Sequence, residues 1–147
     1  MSSSEEERNK VIVQRMYAEL FNQEKLSLAE EIFAADYIDQ EAPPGLSNRG
    51  PESTRQLVTM FHTAFPDVFF LVEEVIAEGE TVAARVTWTG THRGSFLGIA
   101  PTGRTVRQKQ MHFMHFKNGQ MVGHLAVRDD LGLRQQLGAI AAPADKP

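Results

Sequence analysis

Apolar residues in the first third of the chain recur at the spacing of amphipathic helices. Ser4 and Glu7 have the spacing of a capping box, and apolar residues follow Val13 at positions i+3, i+4 and i+7. This pattern predicts a long first helix. Ser27 and Glu30 repeat the capping-box spacing before another apolar group, so a short second helix is expected next.

A loop and a third helix come next. The stretch 41–50 combines two prolines with glycine and asparagine, which are too many helix and strand breakers for regular structure. Pro51 suits the first turn of a helix, and Pro66 disfavours helical backbone at the residue before it. The helix between them has an apolar face formed by Leu57, Met60, Phe61 and Ala64.

After Pro66 the periodicity changes, and residues 68–77 are rich in β-branched and aromatic side chains, as is typical of a strand. Glu78-Gly79-Glu80 and Asn118-Gly119 have the composition of hairpin turns. In the strand after the first turn, one face is apolar and the other is mostly polar. The predicted strands span residues 68–77, 81–92, 105–116 and 121–127, and a last short helix is predicted over 131–140.

Helices followed by four strands with mostly short connections predict an α+β fold, in which a curved antiparallel sheet wraps around the N-terminal helices. Such a sheet forms a conical α+β barrel. Its inward-facing Met, Phe, Trp and Leu side chains predict an apolar cavity for a small molecule. One domain is expected over 1–147, with an ordered core from about 5 to 140 and a flexible tail over 141–147.

Charge and composition narrow the partners of the chain. The formal net charge is −4 and lysine and arginine are scattered, so neither nucleic acid nor a membrane is an expected partner. There are no cysteines, and the polar, acidic N-terminus lacks the pattern of a signal peptide. We therefore expect a cytoplasmic protein. No metal site is expected, because the histidines lack the spacing of metal ligands.

Candidate acid–base residues lie around the last predicted hairpin. With a two-residue turn there, His112 lies opposite Leu125, and Asp129 shares their face of the sheet. His115 then points to the other face, unless a bulge shifts the register. Asp129 could act as a general base beside one of these histidines, or it could cap the last helix, a role for which Asp130 competes.

Eight further residues are candidate contacts for a substrate. Tyr17 and Trp88 could stack on a planar ligand, although aromatic residues at core spacing are more often simply core. His92 ends a strand beside a loop, where a solvated or backbone-bonded histidine is more common than a functional one. The full set is Tyr17, Phe33, Met60, Trp88, His92, Met114, Leu125 and Arg128.

Five segments of the chain carry a resemblance to a known family. They are RMYAELFNQ in the first helix, AFPDV after the third, VAARVTWTGTHRGSFLGIAPTGR, HFKNG at the last hairpin, and DLGLRQQLGAI. In combination they resemble the SnoaL-like polyketide cyclase family, within the cystatin-like α+β barrel superfamily. The resemblance extends from about Val11 to Ile140.

This resemblance implies an enzyme that closes a ring by intramolecular aldol condensation on an aromatic polyketide ester, without metal or cofactor. Asp129 falls in the family's D-x-L-G-L segment, so it is the implied acid–base catalyst. His112 or His115 would orient its carboxylate or bind a substrate carbonyl. The chain departs from relatives that carry His-Trp-Asp, because it has His124 followed by leucine and alanine.

Two other functions stay open at this point. The family also includes cofactor-independent hydroxylases of anthracycline-type polyketides, in which a substrate carbanion reacts with oxygen. Alternatively, the same cavity could hold an apolar aromatic ligand without any catalysis. Curved sheets of this type often pair face to face, so an outer face with Arg85, Thr87 and Thr89 suggests a homodimer or a higher homo-oligomer.

Overall fold

The computed structural model, which describes residues 3–142, begins with helix α1 at Ser4–Arg15. Its capping box joins Ser3 and Glu6, one residue before the predicted pair, because Ser3 is the residue with extended backbone ahead of the helix. The helix continues as a π-helical segment over Met16–Phe21, most of whose apolar side chains are buried. The long first helix is therefore confirmed with a shifted start.

The remaining helices are short except for one. A 3₁₀ turn at Leu26–Leu28 leads into α2 at Ala29–Ile32, the predicted second helix. Helix α3 spans Gly50–Ala64, with a proline in its first turn and another just beyond its end, as predicted. Helix α4, at Asp130–Gln136, ends earlier than predicted, and the positive φ of Gly138 at 76° is typical of a helix terminus.

A curved sheet of five strands packs against the helices. The strand order is β1-β5-β4-β3-β2, so β1 and β2 form the two edges and the sheet is not closed on itself. Four strands correspond to the predicted ones. The bounds are β1 Phe33–Asp39, β2 Phe69–Glu78, β3 Thr81–Thr91, β4 Thr105–Lys117 and β5 Gln120–Arg128.

Strand β1 was not predicted, and it makes the sheet mixed. It pairs in parallel with β5, so the expectation of a purely antiparallel sheet is wrong at this edge. Phe33 fits the apolar spacing of the preceding helix, but its backbone is already extended, and its Cα pairs with that of Met121. The strand runs on to Asp39, which pairs with His124, and this brings a carboxylate beside the last hairpin.

The hairpin between β4 and β5 contains the predicted two-residue turn and a bulge. Asn118 and Gly119 adopt φ values of 51° and 77°, the left-handed backbone that such a turn requires. Phe116 pairs with Met121 in the predicted register. The register then shifts by one residue before the next pair, which involves His115.

This bulge reassigns the faces of β5. His112 pairs with Ala126, whereas a hairpin without a bulge would pair it with Leu125. His124 consequently lies on the inner face together with His112, and the two side chains are buried. Leu125 is turned to the outer face and is 38% exposed. The sequence analysis named a bulge as the condition for such a change, and the structure meets that condition.

The core lies between the inner face of the sheet and the helices. Val82, Ala84, Val86 and Trp88 are all buried there, which confirms the predicted apolar face of β3. The outer face of the sheet also bears apolar side chains, but these are exposed. No helix within residues 3–142 is both long and apolar enough to cross a membrane. The exposed apolar side chains of the outer face include Ile76, Met111, Phe113, Leu125 and Val127.

Candidate active site

A cavity of about 560 Å³ lies between the inner face of the sheet and the helices. Its walls are mostly aromatic and aliphatic, and they come from all layers of the fold. The rings pack closely: Tyr17 lies 5.7 Å from Phe70, and Phe33 lies 4.6 Å from Tyr37, centroid to centroid. The apolar lining includes Met16, Tyr17, Phe21, Phe33, Tyr37, Leu57, Met60, Phe61, Phe70, Phe96, Met114, Met121 and Leu133.

One wall of the cavity is polar, and its side chains form a continuous hydrogen-bonded row. At one end, Asp39 Oδ1 lies 2.8 Å from His124 Nδ1. His124 Nε2 lies 2.7 Å from His112 Nδ1, and His112 Nε2 lies 2.8 Å from Gln110 Oε1. These side chains come from β1, β5 and β4, so the row crosses three adjacent strands.

The row continues along β4 to a second carboxylate. Gln110 Nε2 donates to Gln108 Oε1 over 3.0 Å, and Gln108 Nε2 donates to Asp130 Oδ1 over 3.0 Å. Trp88 Nε1 also donates to Gln108 Oε1, over 2.7 Å. We call the six linked side chains, Asp39, His124, His112, Gln110, Gln108 and Asp130, the polar row.

Burial and charge set the ionisation of the row. Burial raises the pKa of Asp39, but the hydrogen bond and charge of His124, the Glu41 backbone N–H and the charge of Arg128 outweigh it, so that pKa lies below its usual range. Burial lowers the pKa of His112 well below its usual value, and the charges of His124 and Arg128 lower it further. His112 is therefore neutral and Asp39 is ionised at neutral pH.

Two potential donors to a ligand lie beside the row. Arg128 lines the cavity and uses Nη2 to hold the Glu41 backbone oxygen at 3.1 Å. Tyr17 is 3% exposed, and its hydroxyl makes no hydrogen bond within residues 3–142. Burial raises the pKa of Tyr17, with Arg128 opposing and Asp39 adding to the shift, so the phenol keeps its proton. A bound carbonyl or enolate oxygen would supply the missing acceptor.

The two neighbouring aspartates of helix α4 face different surroundings. Asp129 is the N-cap: its Oδ1 accepts from the Gly132 backbone N–H at 2.9 Å, and it is not among the residues that line the cavity. Asp130 does line the cavity, where Gln108 holds one of its oxygens. Because Asp130 is also exposed to solvent, it lies at the opening of the cavity.

The structure brings together part of the predicted site. His112 and five of the eight candidate substrate contacts line the cavity: Tyr17, Phe33, Met60, Met114 and Arg128.

The other candidates lie elsewhere. Trp88 is fully buried in the core behind the row, and Leu125 faces outward because of the bulge. His92 is buried away from the cavity and bonded through Nδ1 to Thr102. His115 lies on the outer side of β4, 3.2 Å from the Thr81 hydroxyl.

Sequence reasoning missed most of the polar row. Gln108, Gln110 and His112 alternate along β4, and their polar side chains at inward positions were a readable signal of a polar wall. Asp39 gave no such signal, because its strand was not predicted. Asp130 was considered only as a helix cap, yet its neighbour takes that role and leaves it free to face the cavity.

A family profile and a related protein both match most of the chain. The profile of the SnoaL-like polyketide cyclase family matches residues 11–137. The chain is 31% identical over 125 residues to aklanonic acid methyl ester cyclase AcmA of Streptomyces galilaeus, covering 84% of this chain and 87% of that protein.

Several solved structures also align with most of the chain. TsrD from Streptomyces laurentii aligns with a TM-score of 0.84 at 22% identity, over 95% of this chain and 100% of that one, and so shares the fold. The candidate polyketide cyclase IdmH of Streptomyces antibioticus aligns at 0.74 and 28% identity, over 88% and 98%. The candidate hydroxylase AclR of S. galilaeus aligns at 0.78 and 26%, over 94% and 85%. The chain belongs to the SnoaL-like polyketide cyclase family.

Proposed function

We propose that the protein closes a ring on an aromatic polyketide ester by acid–base catalysed intramolecular aldol condensation, without a bound cofactor. The observation that supports this most is the polar row, which brings the Asp130 carboxylate to the mouth of an otherwise apolar cavity. The relative AcmA, named as a cyclase of aklanonic acid methyl ester, supports this class of substrate. Aldol closure needs only proton transfers, which side chains of this kind can perform.

The size and walls of the cavity suit a flat, carbonyl-rich molecule. A volume of about 560 Å³ is within the range of small-molecule sites, and aromatic rings from Tyr17, Phe33 and Phe70 can pack against a fused ring system. Such a ligand would also cover the opening where Asp130 lies.

In the first step, Asp130 removes the acidic proton between two carbonyl groups of the substrate. Gln108 holds Oδ1 with its amide N–H, and Oδ2 makes no hydrogen bond to any residue in the described part of the chain. The free oxygen is therefore the one that takes the proton. His112 is a poorer candidate for the base, because both of its ring nitrogens are already bonded to neighbours in the row.

In the second step, the enolate carbon attacks another carbonyl of the same molecule, a carbon–carbon bond forms, and the carbonyl becomes an alkoxide. The Tyr17 hydroxyl and the Arg128 guanidinium can donate hydrogen bonds to oxygens that gain charge during these steps. The protonated Asp130 returns its proton to the alkoxide. The product is an isomer of the substrate, and Asp130 ends in its starting state.

Asp129 remains the competing assignment for the catalytic carboxylate. The family resemblance points to it, but its side chain caps helix α4 and its one hydrogen bond is to a backbone amide. This arrangement also favours the alternative that the protein holds a ligand without catalysis. The two aspartates are adjacent in sequence, so the same conservative substitution at each of them separates the three possibilities.

The experiment compares Asp130→Asn, Asp129→Asn and the native protein with aklanonic acid methyl ester as the probe substrate. We expect Asp130→Asn to lower kcat/KM by about 10²-fold or more, the usual contribution of a general base, and Asp129→Asn to stay within a few-fold of native. Asn caps a helix about as well as Asp, so the control should keep its fold.

Each other outcome has a definite meaning. Loss of turnover only in Asp129→Asn would restore the assignment from the family resemblance and contradict ours. Tight binding of the ester, without turnover by the native protein, would favour a carrier. Mass spectrometry of the product adds one further distinction, because ring closure leaves the mass unchanged.

Hydroxylation is the second candidate function, and the likeness to the candidate hydroxylase AclR favours it. The same proton removal at Asp130 would give a carbanion that reacts with molecular oxygen. Protonation of the peroxide that forms gives a hydroperoxide, heavier than the substrate by two oxygen atoms. If it then loses water to leave a carbonyl, the product has gained one oxygen atom and lost two hydrogens, and neither product forms without air. Turnover that continues under anaerobic conditions with no change in mass contradicts this candidate and supports the cyclase.

We also infer that the protein forms a homodimer through the outer face of the sheet. The supporting observation is the apolar surface there, where Ile76 is 62%, Met111 59%, Phe113 55% and Val127 76% exposed. Exposed apolar surface of this extent on strands is typical of an interface. Of the polar residues first considered for this face, Thr87 is buried within the protein, and Arg85 is paired with Glu74. The cytoplasmic location and the independence from a cofactor stay predictions.

A further inference from the structure

The hydrogen bonds of the polar row can all point one way or all point the other way along it. Which way they point can be worked out, because amide and carboxylate groups donate or accept only through particular atoms. Trp88 Nε1–H is a donor and cannot accept. The atom of Gln108 that lies 2.7 Å from it must therefore be the amide oxygen. Gln108 is 2% exposed and Trp88 is fully buried, so no solvent competes for this bond.

The orientation of Gln108 determines both of its other contacts. With its oxygen toward Trp88, its amide nitrogen points to Asp130 Oδ1 and donates there. The same oxygen also accepts from Gln110 Nε2. Gln110 then has only its own oxygen left for His112, and His112 Nε2 must carry a proton to reach it.

The order continues to the other end of the row. His112 is neutral, so with a proton on Nε2 its Nδ1 is an acceptor, and His124 Nε2 must donate to it over 2.7 Å. Asp39 is an ionised carboxylate that already accepts the Glu41 N–H, so His124 Nδ1 must donate as well. His124 therefore carries both ring protons and forms an ion pair with Asp39.

The geometry points to Trp88 as a positioning residue, whose indole N–H fixes the direction of the entire polar row and so turns the Gln108 amide N–H toward Asp130. Without this donor, the row can reverse. In the reversed row Gln110 donates to His112 Nε2, and His112 carries its proton on Nδ1. Gln108 then presents its oxygen to Asp130, which loses its amide donor and can stay there only as a carboxylic acid.

The direct test is the protonation pattern of the two histidine rings in the ligand-free protein, read from ring ¹⁵N chemical shifts at pH 7. Of the five histidines, His112 and His124 are assigned from His112→Gln and His124→Gln samples. We expect His112 to carry its proton on Nε2 alone and His124 to carry two protons. A native His112 with its proton on Nδ1 would overturn the inference.

The second part of the test removes the indole N–H. Because Trp88 is the only tryptophan in the chain, growth on the benzothiophene analogue of tryptophan replaces N–H by sulfur with little change in shape. Trp88→Phe is the genetic counterpart. We expect a substantial population of the Nδ1–H form of His112 in both samples. Complete retention of the Nε2–H form in the analogue-labelled protein would overturn the role of Trp88.

A control variant distinguishes the effect of losing the Trp88 N–H donor from the effect of disturbing the core packing around it. Phe65 packs against Trp88 with ring centroids 4.8 Å apart and lies outside the cavity lining, so Phe65→Leu disturbs the same part of the core but keeps the N–H. It should keep the native His112 pattern. A shift in Phe65→Leu as large as in Trp88→Phe would make the effect one of packing and contradict the inference.

The link to catalysis rests on the proposed function, and kinetics test it separately. The analogue-labelled enzyme should lose several-fold in kcat with little change in KM, because Asp130 is presented differently while the cavity walls are intact. If Asp130→Asn proves fully active, the proposed base is wrong, but the histidine pattern still decides the role of Trp88 in orienting the row. An unchanged kcat together with a reversed row would contradict the catalytic link.

Discussion

His112 Nδ1 and His124 Nε2 lie 2.7 Å apart on the inner face of the sheet, and both rings are more than nine-tenths buried. Their centroids are 5.0 Å apart with an angle of 22° between the planes. One charged imidazole is acceptable here because Asp39 faces its other nitrogen. A second charge on His112 would have no such partner, and this determines how the protein responds to acid.

We expect the native protein to lose stability as the pH falls below about 6.5. The pKa of His112 is lowered in the folded state from its usual 6.5, so in the acid range the unfolded chain binds a proton that the folded chain does not. The free energy of unfolding should therefore decrease with falling pH in this window. Urea titrations at several pH values measure it, and His112→Gln should flatten the slope relative to native and to His115→Gln.

Replacing Asp39 should destabilise the fold. In Asp39→Asn the buried histidine loses its ion-pair partner, and breaking a buried pair typically costs about 3 kcal/mol or more. The matched control is Asp36→Asn, an exposed aspartate on the same strand, for which a change within about 0.5 kcal/mol is expected. Equal stability of the two variants in urea unfolding would show that the pair contributes little.

Tyr17→Phe should affect turnover and leave stability almost unchanged. The hydroxyl has no hydrogen-bond partner in the described part of the chain, so its removal breaks no bond in the free protein. If it donates to the substrate as the charge develops, kcat should fall at least about tenfold. Steady-state kinetics and a thermal melt measure the two effects. A lower melting temperature with unchanged kcat would mean that the hydroxyl acts only in the fold.

Gly132→Ala should move the Asp129 carboxylate without altering a charge. A methyl group at this position would lie 2.2 Å from Asp129 Oδ2, so the capping side chain has to turn away. We expect the loss of the cap to cost about 1 kcal/mol in unfolding, partly offset by the better helix propensity of alanine. Turnover should remain near native. A loss as large as that of Asp130→Asn would argue that the Asp129 carboxylate takes part in catalysis.

A charged residue introduced on the outer face of the sheet should dissociate the proposed dimer. Val127 is 76% exposed, lies on β5 and pairs with Met111 of the same apolar surface, and Val127→Asp would bury a charge against the second copy. Sedimentation or light scattering at micromolar concentration should then report a monomer. Val11, on helix α1 and 58% exposed, is the control site, and Val11→Asp should keep the native mass. A native protein that is itself monomeric contradicts the interface.

The predictable part of the fold followed local patterns. Helix α3 lies between two prolines, and the turn at Asn118-Gly119 combines left-handed backbone with flanking strands, so both could be located from a few residues. The edge strand β1 could not, because Phe33 continues the helical spacing of the residues before it. Its pairing with β5 depends on residues far away in the chain.

The site was harder to predict than the fold, and a single residue explains much of the difference. The bulge places one extra residue, Val122, between the paired residues Met121 and Gly123. Every later position of β5 therefore moves to the opposite face, so that His124 faces the cavity and Leu125 faces outward. No local signal distinguishes a bulged hairpin from a regular one in these residues. Which of Asp129 and Asp130 faces the cavity also depends on a shift of one residue, because the one that caps helix α4 is turned away from the cavity.

The bond between Asp39 and His124 joins residues 85 positions apart in the chain and depends on the parallel pairing of β1 with β5. Closing so long a loop is entropically costly, and contacts of this kind tend to form late in folding. The hairpins of β2 to β5 can assemble from short-range contacts before that. We therefore expect the hairpins of the sheet to form first and the bond between Asp39 and His124 to form last. An immature chain would then have a pocket but not yet an ordered row of hydrogen-bonded side chains.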